Sequence, residues 1–268
     1  MPDERLYTDD ELIRRIWDIE QIRALMSRRS YYYTAGERER ELDELWVQEP
    51  ENREKASFGS NWGFYCGMGS VRRWYLDSQR REREQALAAA AADGYVDDRP
   101  ENLGAGVFES RCVNTPLVVL SDDGRSARGR WYMTGQSTFC RPGRQAKAWW
   151  SAWTLGADFV REASGWRLLH LVEAQDFYCP VGGDFNAEPV FPAPGVNPEQ
   201  ERFGTADRSF LAHDNTYMLE DDWPPVPLGY ETLGEQNSYG PEGHPGLNRR
   251  VKSIAWDTEI AARKAWGR

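Results

Sequence analysis

The side chains best suited to chemistry lie in one stretch, residues 147–171, which reads KAWWSAWTLGADFVREASGWRLLHL. It contains Asp158 and His170, the latter being one of only three histidines in the chain. Histidine exchanges protons near neutral pH, and a carboxylate within an apolar strand needs a partner. The sequence therefore predicts His170 and Asp158 as a catalytic acid/base pair. The structural alternatives are a core histidine and an aspartate paired with Arg128 or Arg130.

Tryptophans in the same stretch predict a wall for a flat aromatic ligand. Alternate side chains of a strand face opposite sides, so Trp149 and Trp153 share one face while Trp150 and Asp158 share the other. We therefore expect one set to line a cavity and the other to bury an interface. For each single tryptophan, packing in the core or at an interface is the structural alternative.

The following strand carries His170, and strict alternation puts it on the face of Trp166, Leu168 and Asp176. Asp176 is therefore a candidate substrate-binding residue. Trp131, on the strand before the tryptophan-rich one, adds more aromatic surface than a small core needs. The predicted substrate-binding tryptophans are thus Trp131, Trp149 and Trp153.

Tyr31, Tyr32 and Tyr33 end the first predicted helix. Successive helix positions point about 100° apart, so only one or two of these rings can face a cavity. We predict Tyr31 as a catalytic residue and Tyr32 as a substrate-binding one, because a neutral phenol can hydrogen-bond an oxygen on which charge develops. Arg111 is predicted to hold a phenolate, carboxylate or oxyanion, since guanidinium stays charged and donates in a fork.

A glycine-rich passage, FGSNWGFYCGMGS, supplies three more candidates for substrate binding. They are Asn61, Trp62 and Tyr65, which are expected to close the pocket. The glycine spacing matches neither a dinucleotide-binding nor a phosphate-binding motif, so we expect these glycines to allow tight turns.

The elements that must position these residues follow from the sequence periodicity. Apolar residues recur at helical intervals after the capping-box pair Thr8 and Glu11, which predicts a helix over 9–33. A second short helix is expected to end near Trp46, and an alanine-rich third helix follows the glycine-rich passage. From about residue 111 the period changes to two, and four runs joined by short turns predict an antiparallel meander. Three helices covering one face of this curved sheet make an α+β architecture.

The composition changes after residue 178. Ten of the fifteen prolines lie between Pro180 and Pro245, together with many aromatic residues. Such a segment is too aromatic for a disordered linker. The sequence therefore predicts an α+β domain over residues 1–178 and an extended arm over 179–268, packed on that domain or on a neighbouring subunit.

Bulk composition limits the classes of function. The 268-residue chain has a net charge of −10 and no block of lysine and arginine beside aromatic residues, so we expect neither nucleic-acid nor membrane binding. The sequence has no basic segment followed by an apolar run at its start and no run of about 18 apolar residues, which predicts a cytoplasmic protein. The four cysteines are far apart, so we expect no metal site and no disulfide.

Three patterns resemble the SnoaL-like branch of the nuclear transport factor 2-like superfamily. They are RRSYYY at the end of the first helix, NTPLVVLSDDGRSARGRWYMTG over 114–135, and GADFVREASGWRLLHL over 156–171. With their order and spacing they cover roughly residues 9–178. The resemblance implies a cystatin-like cone, in which helices close a bent sheet around a pocket. It also implies catalysis by positioned Tyr, Asp and His, without a metal or an organic cofactor.

The superfamily includes ketosteroid isomerases, polyketide cyclases, scytalone dehydratase and bile-acid dehydratases, as well as noncatalytic binding proteins. The length, tryptophan-rich strands and proline-rich tail also resemble larger SnoaL-like proteins, among which are lyases that release formaldehyde from lignin-derived diaryl compounds. Two positions depart from the family pattern. Gly36 and Glu37 stand where an aspartate often follows the tyrosine of the first helix, and Arg111 and Cys112 stand where a histidine often precedes the TP strand.

The leading hypothesis is a cofactor-independent lyase that eliminates water, and then formaldehyde, from a hydrophobic phenolic or diaryl molecule through a quinone methide. Arg111 or a tyrosine would stabilise the phenolate, while His170 and Asp158 would serve as acid and base. The alternatives are a dehydratase, isomerase or cyclase for a steroid-like or polyketide substrate, and a noncatalytic binding protein. A small aromatic molecule is the expected partner. Sheets of this type often pair back to back, so we also expect a homo-oligomer, either a dimer or a trimer.

Overall fold

The first helix begins where the sequence predicts and ends two residues later than predicted. The computed structural model describes residues 7–60, 63–141, 144–182, 207–209 and 224–243. In helix α1 (Asp9–Ala35), the Glu11 N–H donates to Thr8 Oγ1 at 3.4 Å and the Thr8 N–H donates to the Glu11 carboxylate at 2.8 Å, which completes the capping box. Gly36 ends the helix at φ 75°, a left-handed conformation that glycine adopts without a Cβ penalty.

Four shorter helices follow: α2 (Arg38–Glu44), α3 (Pro50–Lys55), α4 (Gly67–Arg72) and α5 (Gln79–Ala92). A π-helical turn, Arg73–Ser78, joins α4 to α5, so the predicted third helix is not continuous. This turn buries two adjacent rings, because Trp74 stacks on Phe58 at 3.9 Å between centroids and Tyr75 meets the same ring edge-on at 5.7 Å. Single 3-10 turns occupy Pro100–Asn102, Glu235–Asn237 and Pro241–Gly243.

Helix α1 differs from its prediction in which apolar residues it buries. Its buried stripe contains Ile22, Leu25 and Met26, whereas Ile16 and Trp17, nearer the N-terminus, are exposed. The stripe packs on the sheet only along the second half of the helix. Within the part of the chain that the structure describes, no helix is long and apolar enough to cross a membrane.

The sheet has seven strands in the order β3-β4-β5-β6-β1-β2-β7. Their bounds are β1 (Ser57–Gly59), β2 (Gly63–Cys66), β3 (Val107–Leu120), β4 (Ser126–Arg141), β5 (Arg144–Glu162), β6 (Gly165–Pro180) and β7 (Arg208–Ser209). The predicted antiparallel meander is confirmed as β3 to β6. The glycine-rich passage also contains strands, since β1 pairs in parallel with β6 and antiparallel with β2. Strands of three and four residues are too short for periodicity to reveal them.

The two faces of the sheet have different coverings. The inner face, which carries Leu155 and Ala157, packs against the buried stripe of α1. The outer face, which carries Gly156 and Asp158, is covered by residues 224–243. A Cβ on Gly156 would lie 2.7 Å from Pro224 Cβ and 2.9 Å from a ring carbon of Tyr239, so glycine permits this close approach. The rest of the predicted arm, apart from residues 179–182 and 207–209, lies outside the described residues.

Two β-bulges in β6 change which side chains share a face. Asp158 pairs with His170 but Phe159 pairs with Leu168, so Leu169 is the extra residue of the first bulge. Trp166 and Leu168 consequently pack in the inner core, whereas His170 lies on the outer face. The prediction from strict alternation, that these three side chains share one face, is therefore wrong. Asp176 is the extra residue of the second bulge.

Candidate functional site

The predicted partners His170 and Asp158 do meet, but on the outer face of the sheet. His170 Nδ1 lies 2.8 Å from Asp158 Oδ2, and both side chains are buried. The same carboxylate oxygen accepts hydrogen bonds from Ser238 Oγ at 2.8 Å and from the Tyr239 N–H at 2.7 Å. The pair therefore lies beneath residues 224–243, away from the helices.

The remaining polar atoms of this pair also face protein groups. His170 Nε2 lies 3.0 Å from the carbonyl oxygen of Lys55, and Arg128 Nε lies 3.5 Å from Asp158 Oδ1. The structural alternative of a paired aspartate thus matches the observed contacts. The His170–Asp158 pair is buried on the outer face. We therefore propose that it holds residues 224–243 against the sheet and takes no part in acid/base catalysis.

The inner face holds a different cluster of ionisable side chains, which we call the inner network. It consists of three arginines, three glutamates and two tyrosines from α1, α2, the π-helical turn, β3 and β6. Its members are Arg29, Tyr33, Arg38, Glu41, Tyr75, Glu109, Arg111 and Glu173. The helices and the sheet therefore meet through charged groups as well as apolar ones.

Glu173 of β6 is the carboxylate that ties this network to the sheet. It accepts hydrogen bonds from Arg29 and, at 3.2 Å, from Arg111 Nη1. Burial alone would raise the pKa of Glu173, but the positive charges of Arg29 and Arg111 outweigh burial and hold its pKa below the usual value. Arg29 also donates to the Tyr75 hydroxyl at 3.2 Å and lies 3.0 Å from Glu41. Glu173 is thus a fixed negative charge.

Tyr33 and Glu109 form the second half of the network. The Tyr33 hydroxyl donates to Glu109 Oε1 at 3.2 Å, and Arg38 Nη2 lies 3.4 Å from Glu109 Oε2. The guanidinium carbons of Arg38 and Arg111 lie 3.0 Å and 4.2 Å from the centroid of the Tyr33 ring. Burial is the main reason why the pKa of Tyr33 is raised to about 12. Tyr33 is therefore a neutral hydrogen-bond donor near neutral pH, beside a carboxylate and two permanent cations.

A groove of about 520 Å³ leads from the surface to this network. It lies between the C-terminal end of α1, helix α2, the π-helical turn and α5. Tyr75, Gln79 and Arg38 line the groove, and the Arg38 Nε–H donates to Gln79 Oε1 at 2.6 Å. The charged residues of its lining are Arg38, Arg40, Arg80, Arg83, Glu37 and Glu39. We call this feature the arginine groove.

The three consecutive tyrosines point in three directions. Tyr31 is 75% exposed, and the Tyr32 hydroxyl donates to Glu44 at the surface. The ring that enters the network is Tyr33, because it continues the three- and four-residue spacing of the buried stripe through Arg29. Of the three rings, only Tyr33 belongs to the inner network, whereas the predicted residues Tyr31 and Tyr32 point to the surface.

The predicted oxyanion-binding residue Arg111 is a member of the inner network. Its guanidinium carbon also lies 4.2 Å from the ring centroid of Trp153, so this tryptophan contacts the network. Trp149 shares the inner face of β5 with Trp153 and is half-buried. Asp176 lies on the outer face, where it accepts a hydrogen bond from Thr154 Oγ1 at 3.1 Å. The structure therefore joins Arg111 and Trp153, and separates Asp176 from them.

The other predicted binding residues do not line the groove. Trp131 is buried against Phe159, with ring centroids 6.0 Å apart, and Tyr65 packs near Trp74 at 6.2 Å. Both are core residues, and core packing is the structural alternative that was stated for the tryptophans. The predicted residues Asn61 and Trp62 lie outside the described residues.

Sequence reasoning missed most of the inner network, although two signals were available. Arg29 is a charged residue on the apolar stripe of α1, and Glu173 stands among Leu171, Val172 and Ala174 in β6. A charged residue at a core position must be paired, and it marks a structural or functional site. Neither signal identifies the partner, since Arg29 and Glu173 are 144 residues apart.

Metal ligation has no candidate among the residues that the structure describes. No group of three or more histidine, cysteine, aspartate or glutamate side chains in those ranges could hold a metal ion. The carboxylates of the inner network pair with arginines instead. Cys66, Cys112 and Cys179 are free cysteines.

Comparison with known proteins gives one family match. A family model described as the SnoaL-like domain matches residues 14–172. Similar solved structures include a nuclear transport factor 2-like protein with a cystatin-like fold from Novosphingobium aromaticivorans, at 18% identity and a TM-score of 0.36, covering 65% of this chain and 91% of that one. A nuclear transport factor 2-like superfamily protein from Salmonella enterica has 12% identity and a TM-score of 0.39, with 59% and 89% coverage. A type 2 hexachlorocyclohexane dehydrochlorinase has 13% identity and a TM-score of 0.43, with 66% and 97% coverage. None of the curated proteins matches significantly.

Proposed function

The chain belongs to the SnoaL-like domain family, and from this premise we propose that it is a cofactor-independent lyase for a hydrophobic phenolic or diaryl small molecule. The observation that carries the proposal is the arginine groove, whose lining residues Arg38 and Tyr75 are also members of the inner network. A substrate seated there would meet the guanidinium of Arg38 and the phenol of Tyr75, next to the other members of the inner network. Such preorganised groups favour a transition state in which negative charge develops on an oxygen.

The proposed reaction is an elimination in two stages. In the first, a para-phenol with a benzylic hydroxyl loses its phenolic proton and then hydroxide, which is protonated as it leaves, so that a quinone methide and water form. In the second, the electron pair of a neighbouring C–C bond to a hydroxymethyl group flows into the quinone methide, and the hydroxymethyl oxygen loses its proton. The products are formaldehyde and a conjugated phenol. Both stages need a base, an acid and a group that stabilises the phenolate.

The inner network can supply all three roles. Arg38 and Arg111 would stabilise the phenolate, since both stay charged and both flank Tyr33. In the first stage, Glu109 would accept the phenolic proton and pass it through their hydrogen bond to Tyr33, which protonates the leaving hydroxyl. In the second stage, Glu109 would take the proton of the hydroxymethyl group and return it to the product phenolate. This assignment keeps Arg111 in its predicted role and transfers the acid/base roles from His170 and Asp158 to Tyr33 and Glu109.

A noncatalytic binding protein is the second candidate. It is favoured by the pairing inside the inner network, where each of Glu41, Glu109 and Glu173 faces two guanidinium groups. Ion pairs of this kind hold the charged side chains in fixed positions, which suits the binding of a ligand without proton transfer. A dehydratase of the same fold would carry out only the first stage and release no formaldehyde.

Incubation with a phenolic diaryl propanediol tests the proposal. We expect a new near-ultraviolet absorbance from the conjugated product and one equivalent of formaldehyde. Absorbance without formaldehyde would identify the dehydratase instead. Tryptophan quenching without any product would identify the binding protein.

Matched variants test the residues. Tyr33→Phe removes the proton donor and Glu109→Gln removes the base, so each should lower kcat by roughly 100-fold or more. Tyr31→Phe, an exposed tyrosine on the same helix, should leave kcat unchanged. If Tyr33→Phe and Tyr31→Phe turn over substrate equally well while both remain folded by circular dichroism, the assignment of Tyr33 is wrong.

Localisation, oligomeric state and ligand complete the proposed function. We propose a cytoplasmic homo-oligomer, a dimer or a trimer, whose partner is a small aromatic substrate. The oligomer is supported by exposed apolar side chains on the outer face of the sheet, namely Leu117, Tyr132 and Trp150. Exposed apolar patches of this kind often bury themselves against another protein surface.

A further inference from the structure

The arginine groove is a cationic site on an acidic protein. Four arginines and two glutamates contribute to its lining, whereas the whole chain has a net charge of −10. Arg40 and Glu37 pair with each other at 3.0 Å, and Arg38 pairs with carboxylates of the inner network. Of the remaining charges, Arg80 and Arg83 are positive and Glu39 is negative, so the lining keeps one surplus positive charge, which comes from Arg80 and Arg83.

Arg83 is half-buried and close to the end of α1. Among the residues that the structure describes, it makes no ion pair and no hydrogen bond. Burial and the neighbouring charge of Arg38 lower the pKa of Arg83 by more than the nearby Glu109 and Tyr33 raise it, so its positive charge is less stable there than in water. A Cβ on Gly36 would lie 2.5 Å from Arg83 Nη2, so glycine at this position leaves room for the guanidinium. An anion in the groove would relieve this repulsion.

The rest of the lining indicates what kind of anion fits. Leu76, Leu103 and the Tyr75 ring provide apolar surface for an aromatic body. Glu37 and Glu39 would repel a doubly charged group such as a phosphate ester more strongly than a singly charged one. Guanidinium presents a planar fork of donors that matches the two oxygens of a carboxylate.

Resting on the proposed function, we infer that the substrate is an aromatic carboxylic acid, and that Arg83, with Arg80, binds its carboxylate in the arginine groove. The acid group would orient the molecule so that its reacting end points along the groove to Arg38. Arg83 is therefore a specificity-determining residue, and it takes no part in proton transfer.

Calorimetric titration with 4-hydroxycinnamate and with its amide tests the inference. These probes have nearly the same size and differ in charge. We expect the acid to bind about tenfold more tightly, because only its carboxylate can form a charge-assisted hydrogen bond with a guanidinium group. Equal affinities, or no binding of either probe, would overturn the inference.

Substitutions locate the contact. Arg83→Gln should weaken binding of the acid about tenfold and leave the affinity for the amide unchanged, and Arg80→Gln should have a smaller effect in the same direction. Arg81→Gln removes an equal charge from the same helix, but outside the groove, and should change neither affinity. If Arg81→Gln weakens binding as much as Arg83→Gln, the preference for the acid comes from the overall electrostatic potential of the helix and not from a contact with Arg83, and the inference is wrong.

A glycine substitution moves the guanidinium without removing its charge. Gly36→Ala should displace Arg83 and reduce the preference for the acid over the amide. Gly94→Ala is the matched control, because Gly94 has the same φ of 75° but an added Cβ there meets nothing within 4 Å. Preference retained in Gly36→Ala would contradict the assigned position of Arg83.

Binding and turnover separate the two proposals. Preference for the acid that depends on Arg83, without turnover of any phenolic substrate, would support the carboxylate site and refute the lyase. Turnover of phenolic substrates, together with equal affinities for 4-hydroxycinnamate and its amide, would support the lyase and refute the carboxylate site.

Discussion

Glu173 joins two arginine side chains that come from opposite sides of the inner network. Arg29 belongs to α1 and Arg111 belongs to β3, so this single carboxylate links a helix to two strands. Removal of one member of a buried ion pair leaves the others uncompensated, which is more harmful than removal of the whole pair. The stability of the fold should therefore be sensitive to the charge on Glu173.

Glu173→Gln should lower the free energy of unfolding by about 3–5 kcal/mol at neutral pH. The pKa of Glu173 is lowered in the folded state, so its charge contributes stability above the unfolded value of about 4.3. That contribution is lost as the pH falls from this value through the lower folded pKa. The difference between wild type and variant should therefore be largest at neutral pH and should shrink in acid.

Urea unfolding at several pH values, followed by tryptophan fluorescence, measures this difference. The exposed Glu84→Gln is the matched control and should differ little from wild type at any pH. A gap between Glu173→Gln and wild type that stays constant from pH 7 to pH 3 would show that the charge of Glu173 is not what stabilises the fold.

Helices and strands whose signals lie within a few residues were predicted correctly, whereas strand pairings between distant residues were not. The capping box of α1 and the β3 to β6 meander depend on neighbours a few residues apart, and both were read from the sequence. The parallel pairing of β1 with β6 joins Ser57 to His170 and has no local signal. The bulge at Leu169 is decided by packing of the strand between two layers, so alternation alone put His170 on the wrong face.

The candidate site was predictable to the same extent. Arg111 and a tyrosine among residues 31–33 could be proposed because guanidinium and phenol groups are suited to chemistry by their type alone. The sequence assigned Tyr31 and Tyr32, however, and not the inward-facing Tyr33. Glu109 and Glu173 could not, because a glutamate in a strand gains its role from arginines on other elements. Ion pairs between residues far apart in the sequence determine which charged side chains are buried in the network and which stay in contact with water.

Residues 224–243 are held on the sheet by hydrogen bonds to the buried carboxylate of Asp158. Asp158 Oδ2 accepts hydrogen bonds from Ser238 and Tyr239, so Asp158→Asn should loosen residues 224–243 and lower the free energy of unfolding by about 3 kcal/mol. Hydrogen exchange should increase first at Tyr239, whose N–H loses a charged acceptor. Asp98→Asn, an exposed aspartate, serves as the control. Loss of turnover with unchanged exchange in residues 224–243 would restore the catalytic role that the sequence predicted for Asp158.

At the scale of the whole molecule, the outer face of the sheet has two parts. Residues 224–243 cover the region around Gly156, whereas Tyr132 and Trp150, 53% and 45% exposed, lie uncovered on the same face. The covered part is occupied by the chain itself and the uncovered part is available to a second copy.

The double variant Tyr132→Ser, Trp150→Ser should therefore shift the protein toward a monomer. Light scattering after size exclusion, over a range of concentrations, measures the mass directly. Tyr95→Ser removes an equally exposed ring from another region and should leave the mass unchanged. Identical masses for wild type and the double variant would exclude this face as the subunit contact.

The ion pair between Arg29 and Glu173 also bears on how the chain is made. The two residues are 144 positions apart, and synthesis at about 5–20 residues per second separates their emergence by roughly 7–30 s. During that interval strands β3 to β5 also emerge, so the apolar stripe of α1 can pack on part of the sheet before β6 is present. The Arg29–Glu173 pair, however, can form only after β6 has left the ribosome, which makes it one of the last contacts of the inner network to be completed.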